Sequence, residues 1–257
     1  MEVVVAGQME LFSTIHDKYY ESTTDAFAIA YREETSLNPL DQLLDADVER
    51  VFELAAGDGF ASRWLKNRRP HIQISGTDIS EKAANDYRAK TGSECFVADF
   101  TKPFDVEQKV DAVIVMGGIH HFVADLDTAF ENIRRMLKPN GILIMAEPNA
   151  DYFLQPLRSL WYRLDRKNFD HATEWALSHN DLLKRYADHF VCESISYKGS
   201  PGALLMMHNW ALRIPQSFKP WYARPVMAID RAWHRLPGRL PFNFFVAKWR
   251  MIQPPVA

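Results

Sequence analysis

The chain has 257 residues, 47% of them hydrophobic and 25% charged, with a net charge of −3. That balance fits a globular protein with a sizeable core and excludes collagenous and low-complexity classes. Two cysteines, Cys95 and Cys192, are too few for a disulfide framework. Both lie in strand-like runs, so buried thiols in a reducing, cytoplasmic setting are expected.

The first residues, MEVVVAGQMELF, show no basic region, long apolar run or small-residue cleavage pattern, so no signal peptide is expected. No stretch reaches the roughly 20 apolar residues of a membrane span. Residues 1–45 precede the first strand-like run and read as an N-terminal helical cap.

Between residues 46 and 150 short apolar runs alternate with helical patterns. RVFELAA, HIQISGTD, ECFVADF, VDAVIVMGG and GILIMAEP read as strands buried on both faces. FASRWLKNR, SEKAANDYRAK and DLDTAFENIRRML read as helices. The last has an N-cap at Asp125 and an apolar face of Leu126, Ala129, Phe130, Ile133 and Leu137. Pro139-Asn140-Gly141 stops it. This alternation predicts a doubly wound α/β fold with a mostly parallel sheet.

Such sheets bind ligands beyond the carboxyl ends of their strands. Gly57 and Gly59 sit in the first turn, where missing side chains let a ligand approach the backbone. The helix that follows points its N–H groups at the same place. Asp78 ends the second strand-like run, about 20 residues on, at the distance from which an acid reaches ribose hydroxyls. Asp99 closes the third run. Each acid alone is an ordinary cap, but three strand-end acids, Glu53 with Asp78 and Asp99, beside a glycine turn point to a nucleoside site.

This constellation resembles the class I S-adenosylmethionine-dependent methyltransferases, in their small-molecule, type 11-like branch. ELAAGDG matches the acid-x-Gly-x-Gly-x-Gly turn, with Ala55 in place of the first glycine. GTDIS and VADF match the ribose and adenine segments, and DAVIVMGGIHHFVAD the fourth strand. AFENIRRMLKPNGILIMAEP matches the helix, turn and fifth strand. The resemblance implies a seven-stranded sheet with an antiparallel last strand, and S-adenosylmethionine as cofactor.

It also implies roles. Glu53 and the backbone at Ala55, Gly57 and Gly59 would hold the amino-acid end of the cofactor. Asp78 would take the ribose, with Ile79 on the adenine. Asp99 would take the adenine amino group, with Phe100 beside it. Met116 and Gly117 would line the methionine end, and Tyr19 would close over the cofactor. The Ala55 departure is expected to need only ordinary backbone angles. His121 is the candidate general base or substrate-orienting group, with a near-ordinary pKa; His120, its neighbour, is expected to point elsewhere. Glu147 and Asn149 read as pocket-rim residues. The reaction expected is O-methylation of a small or amphipathic, lipid-linked acceptor.

Two other functions share these features. A nicotinamide dehydrogenase would need a third glycine where Ser62 stands. A non-catalytic cofactor-binding partner subunit would keep the acids and lack turnover. No metal is expected, because His120 and His121 are adjacent and His171, Glu174 and His179 lack ligand spacing.

Residues 151–257 read as the rest of the core, with strands HFVCESISY and FNFFVAKWR and insertions at 151–176 and 199–240 over the strand ends. From Gly199 onward there are eight Lys or Arg and one acid, Asp230, so the acidic excess lies in the first 198 residues. Despite this basic end, no nucleic-acid module is recognisable. In RPVMAIDRAWHRL, Pro225 suits a first helical turn, and Val226, Ile229, Trp233 and Leu236 share a face. Two readings stay open: a lid helix packed on the core, or peripheral contact with an anionic membrane.

Overall fold

The computed structural model describes residues 21–105, 107–164 and 176–252. Seven strands form one sheet. They are β1 (Arg50–Leu54), β2 (Gln73–Asp78), β3 (Cys95–Val97), β4 (Val110–Met116), β5 (Leu137–Pro148), β6 (Phe190–Lys198) and β7 (Phe244–Met251). Their spatial order is β3-β2-β1-β4-β5-β7-β6. The first five pair in parallel, and β7 runs antiparallel to both β5 and β6. The chain winds outward from β1 to β3 and then returns to β4. The switch point therefore lies between the carboxyl ends of β1 and β4, where such a sheet opens a crevice.

The apolar runs of β1 and β4 are explained by burial on both faces. Phe52, Leu54, Val113 and Val115 join one core cluster, whereas Val51, Ala112 and Ile114 join the cluster on the other side.

The helices are α1 (Ala26–Arg32), α2 (Asn38–Leu43), α3 (Phe60–Arg68), α4 (Glu81–Thr91), α5 (Leu126–Met136), α6 (Gln155–Leu164), α7 (His179–Arg185), α8 (Ala203–Met207) and α9 (Lys219–Trp233). Ser80 caps α4 and left-handed Gly92 ends it. Asp125 caps α5 as the sequence predicts, accepting from Thr128 N at 3.0 Å. The face of α5 that buries Ala129, Phe130 and Ile133 also buries Asn132. Asn132 Nδ2 donates to the carbonyls of Phe100 (3.0 Å) and Lys102 (2.7 Å), and Oδ1 accepts from Phe104 N (3.0 Å). One amide thus fixes the loop that follows β3.

Three sequence expectations need correction. β5 starts at Leu137, because that residue pairs with Val110 before Ile142 pairs with Ala112; the Pro-Asn-Gly turn is a bulge within the strand. β3 stops at Val97, so Asp99 and Phe100 lie in the loop beyond it. Pro225 is inside α9, and Pro220 occupies the first turn.

The described part of the N-terminal segment joins the later insertion in one helical layer. Tyr31 packs with Ala203, Met206, Ala223 and Met227. Lys219, 1% exposed, donates to the Ser22 carbonyl at 2.8 Å and pairs with Asp25, the cap of α1. Asp230, also buried, accepts from Tyr31 Oη at 3.3 Å and Ser200 N at 2.7 Å. These buried polar anchors set the rotation of α9. It buries Ala223 and Met227, leaves Val226 and Trp233 half-buried and turns Ile229 and Leu236 outward, so the apolar face read from the sequence is split between core and surface.

Candidate active site

The turn after β1 runs from Ala55 to Gly59 and feeds α3. Gly59 caps that helix at φ +74°, and a Cβ there would meet Thr91 Cγ2 at 2.5 Å and Tyr87 Cδ2 at 2.6 Å. That glycine makes room for α4. Gly57, at φ +55°, has nothing within 4 Å of a Cβ and borders open space. Ala55 corrects the sequence expectation: its φ is +48°, in the left-handed region that disfavours a side chain. The strand end must turn sharply there, whatever residue occupies it.

Glu53 is buried, and its carboxyl takes the Ser62 hydroxyl, which also lies 2.8 Å from Tyr87 Oη. Burial pushes the Glu53 pKa up to about 7, with the Ser62 bond pulling the other way. Glu53 thus ties β1 to α3 and α4.

Asp78 is held from two sides. Oδ2 accepts from Gly57 N at 2.9 Å and Oδ1 from Ser80 N at 2.9 Å. This fixes the carboxylate next to the glycine turn. Ile79 beside it is half-buried. Asp99 Oδ1 accepts from Thr101 N (3.0 Å) and Oγ1 (2.6 Å). Its Oδ2 is buried without a hydrogen bond; the nearest cation, on exposed Lys102, lies 3.3 Å away. Phe100 turns into the core between Phe104 and Phe122, and supports the loop instead of standing open beside it.

Across the switch point, β4 ends at Met116 and Gly117, the latter at φ +86°. A Cβ on Gly118 would lie 2.6 Å from the Ala55 Cβ, so the two turns meet there. Glu147, at the end of β5, is 1% exposed and is no rim residue. Its Oε1 accepts from Gly118 N (2.8 Å) and Ile119 N (2.7 Å). Its Oε2 lies 2.8 Å from His120 Nδ1 and 3.3 Å from His120 N. Asn149 is likewise internal, donating to the carbonyls of Arg239 and Phe242, each at 2.9 Å.

The two histidines differ in their partners, and the near-ordinary pKa expected for His121 is corrected. His120, not His121, carries the carboxylate partner. The His121 ring centre is 4.0 Å from that of His120, and burial, then the neighbouring ring, holds its pKa well below the ordinary imidazole value. The register of β4 on β5 brings the Glu147–His120 pair together. Parallel pairing aligns Ala146 with Met116, which sets Glu147 beside the residues that follow β4.

Tyr19, His171 and Glu174 lie outside the described residues. Among the described residues, no three His, Cys, Asp or Glu side chains gather where they could hold a metal ion.

Comparison with known proteins places this architecture. A methyltransferase domain model matches residues 52–143, which hold the glycine turn and all three acids. A demethylmenaquinone methyltransferase of Thermotoga maritima is 30% identical over 161 residues, covering 60% of this chain and 69% of that protein. A malonyl-[acyl-carrier protein] O-methyltransferase of Legionella pneumophila is 26% identical over 183 residues, covering 67% of this chain and 63% of that protein. The methyltransferase solved with the Haloferax volcanii Trm112 activator superposes with a TM-score of 0.61 at 18% identity, over 97% of this chain and 99% of that one. The N-methyltransferase NodS of Bradyrhizobium japonicum, solved with S-adenosyl-L-homocysteine, gives 0.57 at 12% identity, over 95% and 99%. With its strand order, glycine turn and strand-end acids, the chain belongs to the class I S-adenosylmethionine-dependent methyltransferases.

Proposed function

We propose that the chain methylates a hydroxyl of a small or amphipathic acceptor, with His120 as proton acceptor and Glu147 as its positioning residue. The observation that carries this reading is the 2.8 Å contact between His120 Nδ1 and Glu147 Oε2. A carboxylate at Nδ1 keeps the proton there and leaves the lone pair on Nε2, the atom that can take a proton from an acceptor. Glu147 also holds the Gly118 and Ile119 N–H groups, so the ring and the loop after β4 are fixed together.

The residues fit the cofactor. The buried Asp99 Oδ2 accepts no hydrogen bond and has the ammonium of exposed Lys102 beside it at 3.3 Å, so an adenine amino group would supply its hydrogen-bond donor. Asp78, held against the Gly57 N–H, would take the ribose hydroxyls, with Ile79 against the base. Gly57 leaves the turn open for close approach, and Met116 and Gly117 would border the methionine end. The bound cofactor supplies an electrophilic methyl carbon on its sulfonium. What the chain adds is an in-line approach, exclusion of water and a base for the acceptor proton. Relatives named for demethylmenaquinone and for malonyl-[acyl-carrier protein] support an acceptor that is amphipathic or carrier-linked.

The test is release of S-adenosylhomocysteine, followed by mass spectrometry, across phenolic, quinol and carboxylate acceptors with and without long apolar chains. Turnover on a hydroxyl acceptor that His120→Ala abolishes while cofactor binding persists supports the reading. Tight cofactor binding with no demethylated product from any acceptor returns the chain to a binding subunit.

A further inference from the structure

Helix α9 is apolar on two opposite sides. Its inner side carries Ala223 and Met227. On a 3.6-residue helix the opposite pole belongs to Trp221, Pro225, Ala228 and Ala232, which recur at four, three and four residues. All four are exposed, Trp221 at 83%. Ile229, 61% exposed, borders this stripe on one side. Along the other border stand the exposed Arg224, Arg231 and Arg235. Arg231 pairs with Glu34, whereas Arg224 and Arg235 have no carboxylate partner among the described residues.

A second exposed stripe adjoins the first. Phe153, just before α6, and Leu157, Leu160 and Leu164 within it recur at four, three and four residues and all are exposed. Phe153 N donates to the Leu240 carbonyl at 2.9 Å, and Arg239 pairs with Asp151 at 3.0 Å. The start of α6 is thereby joined to the segment leaving α9, which itself exposes Leu236 and Leu240.

We propose that the outer side of α9, with the adjoining 236–240 segment and α6 stripe, docks on an anionic phospholipid bilayer. Charge decides the occupant. Of the eight cations from Gly199 onward, Arg213, Arg224 and Arg235 are exposed without a carboxylate partner among the described residues, and the segment's one acid, Asp230, is buried. An outward Trp and Ile beside unpaired arginines match the layering of a lipid interface, with apolar groups at the acyl boundary and guanidinium groups at the phosphates. A second copy of the chain would bring the same unpaired arginines together. An acidic protein partner would find only the Trp221 indole N–H as a hydrogen-bonding side-chain group along the Trp221–Ala232 stripe. Among the described residues no helix is long and apolar enough to cross a membrane, so the contact is peripheral. This inference is independent of the methyl-transfer reading.

The experiment is co-sedimentation of the intact chain with phosphatidylglycerol–phosphatidylcholine vesicles and with pure phosphatidylcholine vesicles. Binding is expected to the anionic vesicles, to fall as salt rises, and to weaken about fivefold for each of Arg224→Gln and Arg235→Gln. Trp221→Ser with Ile229→Ser is expected to abolish it while far-ultraviolet circular dichroism stays unchanged. Should that double variant not fold, the salt titration of the unaltered chain and the arginine variants still decide. Three outcomes overturn the proposal: no sedimentation at low salt, equal binding to both vesicle types, or a dimer in the ultracentrifuge that Trp221→Ser dissociates without any vesicle binding.

Discussion

Glu147 Oε2 sits 2.8 Å from His120 Nδ1, and the same carboxylate group gathers the N–H groups of Gly118 and Ile119. Glu147→Gln tests what that contact does. The Gln carbonyl would keep the two backbone donors, and its amide would donate to Nδ1. The imidazole proton would then move to Nε2 and the ring could no longer accept one. We expect kcat to fall about 10²–10⁴-fold with S-adenosylhomocysteine affinity nearly unchanged. His120→Ala should match that loss, and His121→Ala should fall short of it. Equal losses at the two histidines would remove the assignment.

Ala55 stores strain that a glycine would release. Its φ of +48° costs about 1 kcal/mol beyond glycine, part of which returns as the greater unfolded-state freedom of glycine. Ala55→Gly is expected to raise the midpoint of thermal unfolding by about 1–3 °C. A lowered midpoint in a scanning calorimeter would show that the methyl contact with Gly118 outweighs the strain.

Glu53 makes stability depend on pH. Its folded-state pKa is raised from 4.5 to about 7, so between those values the folded form binds a proton that the unfolded form has released. Stability from this group is therefore complete below about pH 4.5, declines as pH rises and levels off above about pH 7. The span is of order 3 kcal/mol. Urea unfolding of the native chain and of Glu53→Gln, compared at pH 5 and pH 8, measures it. The variant should lose this component; an unchanged pH dependence would mean that Glu53 is ionised in the fold.

Asp78 organises the turn before any ligand arrives. Asp78→Asn loses the charged acceptor for Gly57 N and for a ribose. Calorimetry should show S-adenosylhomocysteine binding weakened about 10–100-fold, with the unfolding midpoint lowered as well. Undiminished affinity would place the sugar elsewhere.

The strand-helix alternation, the cap at Asp125 and the strand-end acid Asp78 were all legible in the chain. Each depends on local rules: period, capping chemistry and the residue type at a strand end. Ala55 was misjudged because composition at a turn does not report its φ. Glu147 was misplaced because the end of a strand is solvent-facing or buried according to its neighbours, and β4 lies alongside β5 only in the assembled sheet.

The sequence by itself determined the architecture, because buried strands alternating with helices leave few other solutions, and its glycine turn and spaced carboxylates marked a nucleoside site; the cofactor class followed from the resemblance of ELAAGDG, GTDIS and VADF to methyltransferase segments. Tertiary structure decided which histidine receives the carboxylate and which side of α9 faces water. Both depend on contacts between segments far apart in the chain. Glu147 reaches His120 across neighbouring strands, and Lys219 reaches Asp25 from the opposite end of the sequence. Such buried polar pairs fix orientation because any rotation that separates them would leave a desolvated group unpaired.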